Sequence, residues 1–344
     1  MGLLSTLYGM GVSCKKYYYR NPRTLPGKVI SIGNLTLGGT GKTPAVIAVA
    51  QEAKKRGHAP CILTRGYWGK TKGTRFVSRG EGPLMGTVEA GDEAYIMAET
   101  LKDIPVVKGK DRYKAGLYAI NNLSPGCCGD VSPCTPAKTN LLFILDDGYQ
   151  HFKLRRDADV LLIDGTNPFG NGKLFPEGIM REPLSAIRRA HIIVITKADR
   201  VVQERISIIT DKVRQYNPEA PLYTAFHKPS GLIQSSGDIE GIEKLRNRSI
   251  YAFSGIANPS YFQETLSGTG ARVAGIRNFR DHHRYSQKDM DKIKSDAAGS
   301  DIITTEKDLV KLRELNIPEN MFALKIEFSV DDDFYTTLFK IIDE

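Results

Sequence analysis

Short runs of consecutive apolar residues alternate with segments whose apolar positions return every three or four residues. The continuous runs are "KVISIG" (28–33), "PCILTRGY" (60–67), "IPVVKG" (104–109), "NLLFILDD" (140–147), "DVLLID" (159–164) and "HIIVITKAD" (191–199). Most of them end in polar residues. Strands that are apolar on both faces belong to a mostly parallel sheet with helices on each side. Helical spacing is found from Gly41 to about Arg56, closed by Gly57, and again in "GDEAYIMAETLKD" and "DRYKAGLYAINNL". The pattern changes near Pro221. "PLYTAFHKPSGL" is an extended connector, followed by a second β/α set: "SIYAFSGI", "NPSYFQETLSG", "ARVAGIRNF", "SQKDMDKIKSDA" and "DIITTEKDLVKL". "MFALKIEFSV" is again extended, and the last residues are helical. The expected fold is therefore α/β with two domains, 1–220 and a smaller 221–344. The two extended pieces are expected to pair as a two-strand linker between them. A chain of 344 residues is also longer than one hydrophobic core usually organises.

The charge is uneven. Net charge is +9, and the first acidic residue is Glu52, preceded by Lys15, Lys16, Arg20, Arg23, Lys28 and Lys42. Such a balance suits a polyanion: nucleic acid, a phosphorylated small molecule or an anionic membrane surface. At the head, Leu3, Leu4, Leu7, Tyr8 and Val12 fall near one side of a helix, and cations follow them. No apolar run is long enough to span a bilayer, and the charges come after the apolar stretch, the reverse of a secretory signal. The head is either an in-plane membrane anchor or a terminal helix packed on the domain with Tyr17–Tyr19 in its core. Gly9 and Gly11 weaken any helix there. The cysteine count of five is odd; Cys127, Cys128 and Cys134 share "SPGCCGDVSPCTP", with no C-x-x-C spacing, which is expected to be a surface insertion carrying reduced thiols.

The segment "NLTLGGTGKTP" (34–44) directly follows the first strand. Strand, glycine loop, Lys-Thr and helix form the P-loop arrangement. Here Thr36, Leu37, Gly38, Gly39, Thr40, Gly41, Lys42 and Thr43 are the phosphate-binding residues. The glycines let backbone N–H groups turn toward phosphate oxygens, and the following helix aims its positive end at them. Lys42 would bridge the β- and γ-phosphates, and Thr43 would offer its hydroxyl to Mg²⁺. Thr36 stands where the strict pattern has glycine. A P-loop calls for an apolar strand ending in aspartate to hold the metal, and "LLFILDDGYQH" supplies Asp146 and Asp147. "ITKAD" matches the [NT]-K-x-D guanine contact of GTPases, so a GTP-driven switch is the rival to an ATP-dependent enzyme.

Taken in order, "ISIGNLTLGGTGKTP", "LTRGYWG", "GDEAYIMA", "KGKDRYKAG", "LDDGYQH", "MREPLSA", "ITKAD", "FRDHHRYS" and "TTEKDLVKL" resemble the tetraacyldisaccharide 4′-kinase family from about Leu4 to about Leu312. The insertion at about Leu123 to Thr139 departs from it. The family tolerates Thr at the position of Thr36. The resemblance implies a P-loop NTPase-like first domain and transfer of the ATP γ-phosphoryl group to the 4′-hydroxyl of tetraacyldisaccharide 1-phosphate, with Mg²⁺. The product is lipid IVA. The partners it implies are an anionic glycolipid and, through the N-terminal segment, a membrane surface. No nucleic acid partner is expected, and the chain is expected to be a monomer lying peripherally at the cytoplasmic face of the inner membrane.

The same resemblance assigns roles. Asp92 and His282 form an Asp–His dyad that activates the hydroxyl, with His283 adjacent and open to exchange for His282. Lys42 joins them in catalysis. Thr43, Asp146, Asp147 and Gln150 hold Mg²⁺, supported by His151. Arg65, Arg112, Arg181 and His151 are the candidates for phosphate or substrate contacts, because arginine's planar fork matches phosphate oxygens. Glu93 and Lys307 lie in matching motifs. Whether Thr196–Asp199 touches the base is open at this stage.

Overall fold

The computed structural model describes residues 2–123 and 140–344. Cys127, Cys128 and Cys134 lie outside the described residues, as does nearly all of the insertion that contains them. The chain divides into two compact units, Met1–His227 with Phe328–Glu344, and Lys228–Glu327.

The first unit opens with α1 (Leu3–Tyr18) and β1 (Lys28–Asn34), followed by α2 (Lys42–Lys55), β2 (Ala59–Thr64), β3 (Arg75–Ser78), α3 (Thr87–Ala90), α4 (Asp92–Thr100), β4 (Val106–Lys108) and α5 (Arg112–Asn122). It continues through β5 (Leu141–Asp146), β6 (Ala158–Asp164), β7 (Ile192–Thr196), α6 (Gln203–Arg214) and β8 (Leu222–Gln234). Its strands run β8-β7-β6-β1-β5-β2-β4-β3. All are parallel except β3, which is antiparallel to β4. The central strands are buried on both faces, as their unbroken apolar sequence requires. One core cluster joins Val29, Leu63, Phe143 and Leu145 to Ala115 and Ala119 of α5. Another joins Leu161, Ile163, Ile193 and Ile195 to Ile209 and Val213 of α6.

Register determines where the chemistry lies. Ile32 pairs with Asp146, and Asp164 pairs with Thr196. The loops after β1, β5, β6 and β7 therefore leave from one edge of the sheet, the carboxyl edge at which open α/β sheets bind ligands.

The second unit holds the end of β8, β9 (Ile239–Glu240), β10 (Ser249–Ser254), α7 (Pro259–Ser267), β11 (Arg272–Asn278), α8 (Gln287–Ala297), β12 (Asp301–Thr305), α9 (Glu306–Leu309) and most of β13 (Met321–Val330). Here β11, β10, β12 and β13 are parallel neighbours in that order. Strands β8 and β13 are adjacent, and each crosses the boundary between the units, so the extended pieces do form a two-strand connection.

The last helix, α10 (Asp332–Asp343), differs from expectation. The sequence reading assigned it, with all residues after 221, to the smaller domain. It instead packs against α2, β1 and β6 in the first unit. Its apolar face of Phe334, Leu338, Phe339 and Ile342 is buried, and His58 stacks on Phe339 with ring centroids 5.3 Å apart. An amphipathic pattern shows that a helix has a face to bury, but not which surface will receive it.

One face of α1 docks: the Ser5 hydroxyl donates to the Leu174 carbonyl at 2.9 Å, and Tyr8 meets Phe175 edge-on. Gly9 permits the approach, since a Cβ there would lie 2.9 Å from Leu174 Cδ1. The other face leaves Leu4, Leu7, Met10, Tyr17 and Tyr18 exposed, so Tyr17 and Tyr18 are not core residues. Among the described residues, no helix is long and apolar enough to cross a membrane.

Candidate active site

Between β1 and α2 the chain turns through the glycine loop. The Leu37 N–H donates to the Ile179 carbonyl at 2.7 Å, and Thr36 bridges Met180, so the near side of the loop is tied to the segment before Arg181. Gly38 and Gly41 have φ of 121° and 81°, values that side chains with a Cβ rarely adopt. Nothing lies within 4 Å of where a Cβ would stand on Gly38 or Gly39, so the loop faces open space. Helix α2 starts at Lys42 with Gly41 as its N-cap and no side-chain cap. Its first N–H groups are thus left for an anion.

At the end of β5, two neighbouring carboxylates have opposite surroundings. Asp147, at a left-handed φ of 51°, receives Arg181 Nη1 on both oxygens at 2.8 Å, and Lys42 Nζ stands 3.7 Å away. Burial opposes its ionisation, but Lys42 and Arg181 outweigh burial and hold its pKa below the usual carboxylate value. Asp146 is pushed up to about 6 by burial, then by the nearby charges of Glu93 and Asp147. The Thr64 hydroxyl donates to its Oδ2 at 2.7 Å, while its Oδ1 is buried with no hydrogen-bond partner among the described residues. A buried carboxylate oxygen with no donor is suited to a cation. No cluster of three His, Cys, Asp or Glu side chains gathers among the described residues. A Mg²⁺ ion held by one or two carboxylates, a hydroxyl and phosphate oxygens does not need one.

The remaining candidates fall into distinct places. Lys42 Nζ also reaches Asn34 Oδ1 at 3.4 Å. The Gln150 amide nitrogen donates to the Asn34 carbonyl and to Glu182, both at 2.9 Å. Glu182 is buried and also receives Arg189 at 2.8 and 2.9 Å. Buried Arg112 donates to the carbonyl of Asp146 at 3.1 Å, so it holds the backbone of the aspartate turn. Arg65 is on the surface, bonded to the Tyr67 hydroxyl at 2.9 Å and stacked on its ring. The His151 imidazole is driven down to about 3 by burial and by Arg112, so it is neutral at ordinary pH and brings a ring nitrogen to the site rather than a charge. Asp92 is the first residue of α4, beside Glu93, whose charge reaches Asp146.

In the second unit, His282 has a left-handed φ of 58°. Its Nε2 lies 3.2 Å from Lys307 Nζ, which also reaches Asp281 at 3.2 Å. His283 stacks on Phe279 at 4.5 Å and faces Asp289 at 3.4 Å. The neighbouring histidines therefore differ: one joins a polar cluster and the other packs on aromatic rings.

Four residues of the site were not found from sequence. Thr64 and Asn34 are polar residues closing buried strands, and their position beside β5 is a matter of register. The pair of buried Glu182 and half-buried Arg189 had only its proximity to Arg181 as a signal.

Comparison with known proteins places this arrangement. Residues 1–343 match the family described as tetraacyldisaccharide-1-P 4′-kinase. The tetraacyldisaccharide 4′-kinase of Halothermothrix orenii is 35% identical, covering 96% of this chain and 88% of its own. That of Anaeromyxobacter dehalogenans is 39% identical, covering 83% and 72%. A crystal structure of LpxK from Aquifex aeolicus in complex with ATP superposes with a TM-score of 0.75 at 32% identity, covering 98% of this chain and 97% of that one.

Proposed function

Because the chain belongs to the tetraacyldisaccharide-1-P 4′-kinase family, we propose how its own side chains carry out that reaction. The chain is a kinase that moves the γ-phosphoryl group of ATP to the 4′-hydroxyl of tetraacyldisaccharide 1-phosphate. A P–O bond forms to the sugar oxygen, the bond to the β-phosphate oxygen breaks, and ADP leaves. The observation that carries the assignment of roles is the meeting at one sheet edge of an open glycine loop, Lys42, and two aspartates in contrasting states.

The loop amides and Lys42 bind the β- and γ-phosphates and offset the charge that spreads over the transferring group. Asp147 keeps Lys42 and Arg181 oriented. Thr43 and Asp146, with Asp147 and Gln150 nearby, are the residues that would hold Mg²⁺, which would neutralise phosphate charge and align the reacting oxygens. Asp92 takes the proton of the sugar hydroxyl, since an uncharged alcohol is a weak nucleophile at neutral pH. His282 is its dyad partner by motif, and its polar surroundings favour it over the ring-packed His283. Arg65, exposed beside Lys15 and Arg112, is placed to meet a phosphate of the acceptor.

The deciding experiment incubates the full chain with γ-labelled ATP and the tetraacyldisaccharide 1-phosphate, with γ-labelled GTP in parallel. Label should appear in a lipid-soluble product, with ATP preferred. Nucleotide hydrolysis that ignores the lipid would reject the proposed roles.

The exposed face of α1 is the proposed membrane contact, at the cytoplasmic face of the inner membrane, with Lys15, Lys16 and Arg20 drawn to anionic headgroups. Changing Leu4, Leu7, Tyr17 and Tyr18 together to serine removes exposed apolar area of that face, along with the contacts of Tyr17 with Arg20 and of Tyr18 with Tyr19. Co-sedimentation with anionic vesicles should then fall by about tenfold or more, while the KM for ATP stays the same. Unchanged vesicle binding would rule out this face.

A further inference from the structure

The "ITKAD" segment is the motif that the reaction leaves without a task. In the structure its lysine is turned inward, while its aspartate, Asp199, is exposed. Lys197, at a left-handed φ of 55°, is buried and forms an ion pair with Asp164. Asp164 is fixed in turn by the backbone N–H and hydroxyl of Thr166, at 2.9 and 2.6 Å. Asp199 is paired with Arg200 at 2.9 Å. What the segment does touch is the phosphate loop. The hydroxyl of Thr196, fully buried, lies 3.1 Å from the carbonyl of Thr40 and 3.4 Å from that of Ile163.

A second contact grips the next residue of the loop from behind. A Cβ on Gly41 would overlap the Nε2 of His227. The buried His227 ring therefore occupies the space that a side chain at Gly41 would need, against the residue that caps α2. His227 is on β8, which pairs with β7 up to Ile195 opposite Thr224. Continuing in the same direction carries the ring past the end of β7 to the loop. Burial and the neighbouring Lys197 charge drive His227 down to about 4. The ring is therefore neutral and puts no competing positive charge behind the phosphate site.

We propose that Thr196, Lys197, Asp164 and His227 form a brace that holds Thr40 and Gly41 in the phosphate-binding conformation. They are positioning residues for ATP rather than a reader of its base. The physical reason is that a glycine loop is conformationally permissive and has to be fixed by its surroundings. Thr196 fixes a carbonyl on one side of Gly41, and His227 fills the space behind it. The Lys197–Asp164 pair holds the strand end that carries Thr196. This inference rests on the kinase reading above.

The test is steady-state kinetics on the full chain with ATP and the tetraacyldisaccharide 1-phosphate, using Thr196→Val, His227→Ala and His227→Gln. Thr196→Val keeps the shape and deletes the donor. His227→Ala empties the space behind Gly41, and His227→Gln returns a polar atom near the Nε2 position. The first two should raise the KM for ATP by about tenfold with the KM for the lipid within about twofold, and glutamine should restore most of the loss. An unchanged KM for ATP in soluble, folded Thr196→Val protein would overturn the brace, even if the histidine variants failed to fold. So would equal losses for both substrates. A wild-type chain that made no labelled lipid would instead count against the kinase reading.

Discussion

Lys42→Ala is expected to lower kcat/KM for ATP by about 10³-fold, within the range seen when one preorganised electrostatic contact to a reacting group is removed. Lys42 is the first residue of α2, only 12% exposed at its side chain, with Nζ 3.7 Å from Asp147 and 3.4 Å from Asn34. In that position it would meet phosphate charge in surroundings with little water, where an ammonium is worth more than at a surface. The fold should survive, because Asp147 keeps Arg181 on both its oxygens at 2.8 Å and no buried charge is stranded. Transfer of label from γ-labelled ATP to lipid measures the loss, and a melting curve close to that of wild type checks the fold. A variant within about tenfold of wild type would show that Lys42 does not bear on the transferring phosphate.

Asp92→Asn is expected to lower kcat by about 10²–10⁴-fold, the contribution of a well-placed general base, with the KM for ATP nearly unchanged. The substitution preserves shape and removes the negative charge and with it the ability to take a proton. Asp92 begins α4 after Gly91, whose φ of 91° sets the sharp entry to the helix. A Cβ on Gly91 would overlap the Tyr67 carbonyl, so the turn from α3 into α4 at Asp92 is closely packed and its backbone well fixed. A carboxylate in the first turn also suits the positive end of the helix, and the amide retains part of that interaction, so little stability should be lost. The measurement is label transfer at saturating ATP, with nucleotide binding followed separately. Near-normal turnover would remove Asp92 as the base. A large rise in the KM for ATP with turnover intact would make it a nucleotide ligand instead.

Much of the first unit could be read from local pattern. The buried strands carry unbroken apolar runs, and the glycine loop announces itself by Gly38, Gly39 and Gly41 ahead of Lys42. Asp146 and Asp147 stand at the end of an apolar strand, where a phosphate-and-metal site would want them. Adjacency in sequence could not say that these two carboxylates differ. Asp147 is given its charge by Lys42 and Arg181, and Asp146 is pushed toward protonation by burial and by Glu93; those neighbours come from different elements. His151, a candidate phosphate contact by motif, is held neutral by its burial and by Arg112. For the segment "ITKAD" the sequence leaves a base contact open, and the register of Asp164 opposite Thr196 brings the Thr196 hydroxyl to the glycine loop.

The amino-acid sequence alone determined the α/β class, the phosphate loop and the order of motifs that marks the family, because these depend on periodicity, glycine freedom and residue types at short spacing. Tertiary structure decided which unit receives α10, which face of α1 is buried and which stays exposed, and what stands behind Gly41. The difference is physical. Local pattern specifies what a segment needs to bury or to bond. The partner that meets the need is brought there by strand register and packing across long separations in the chain.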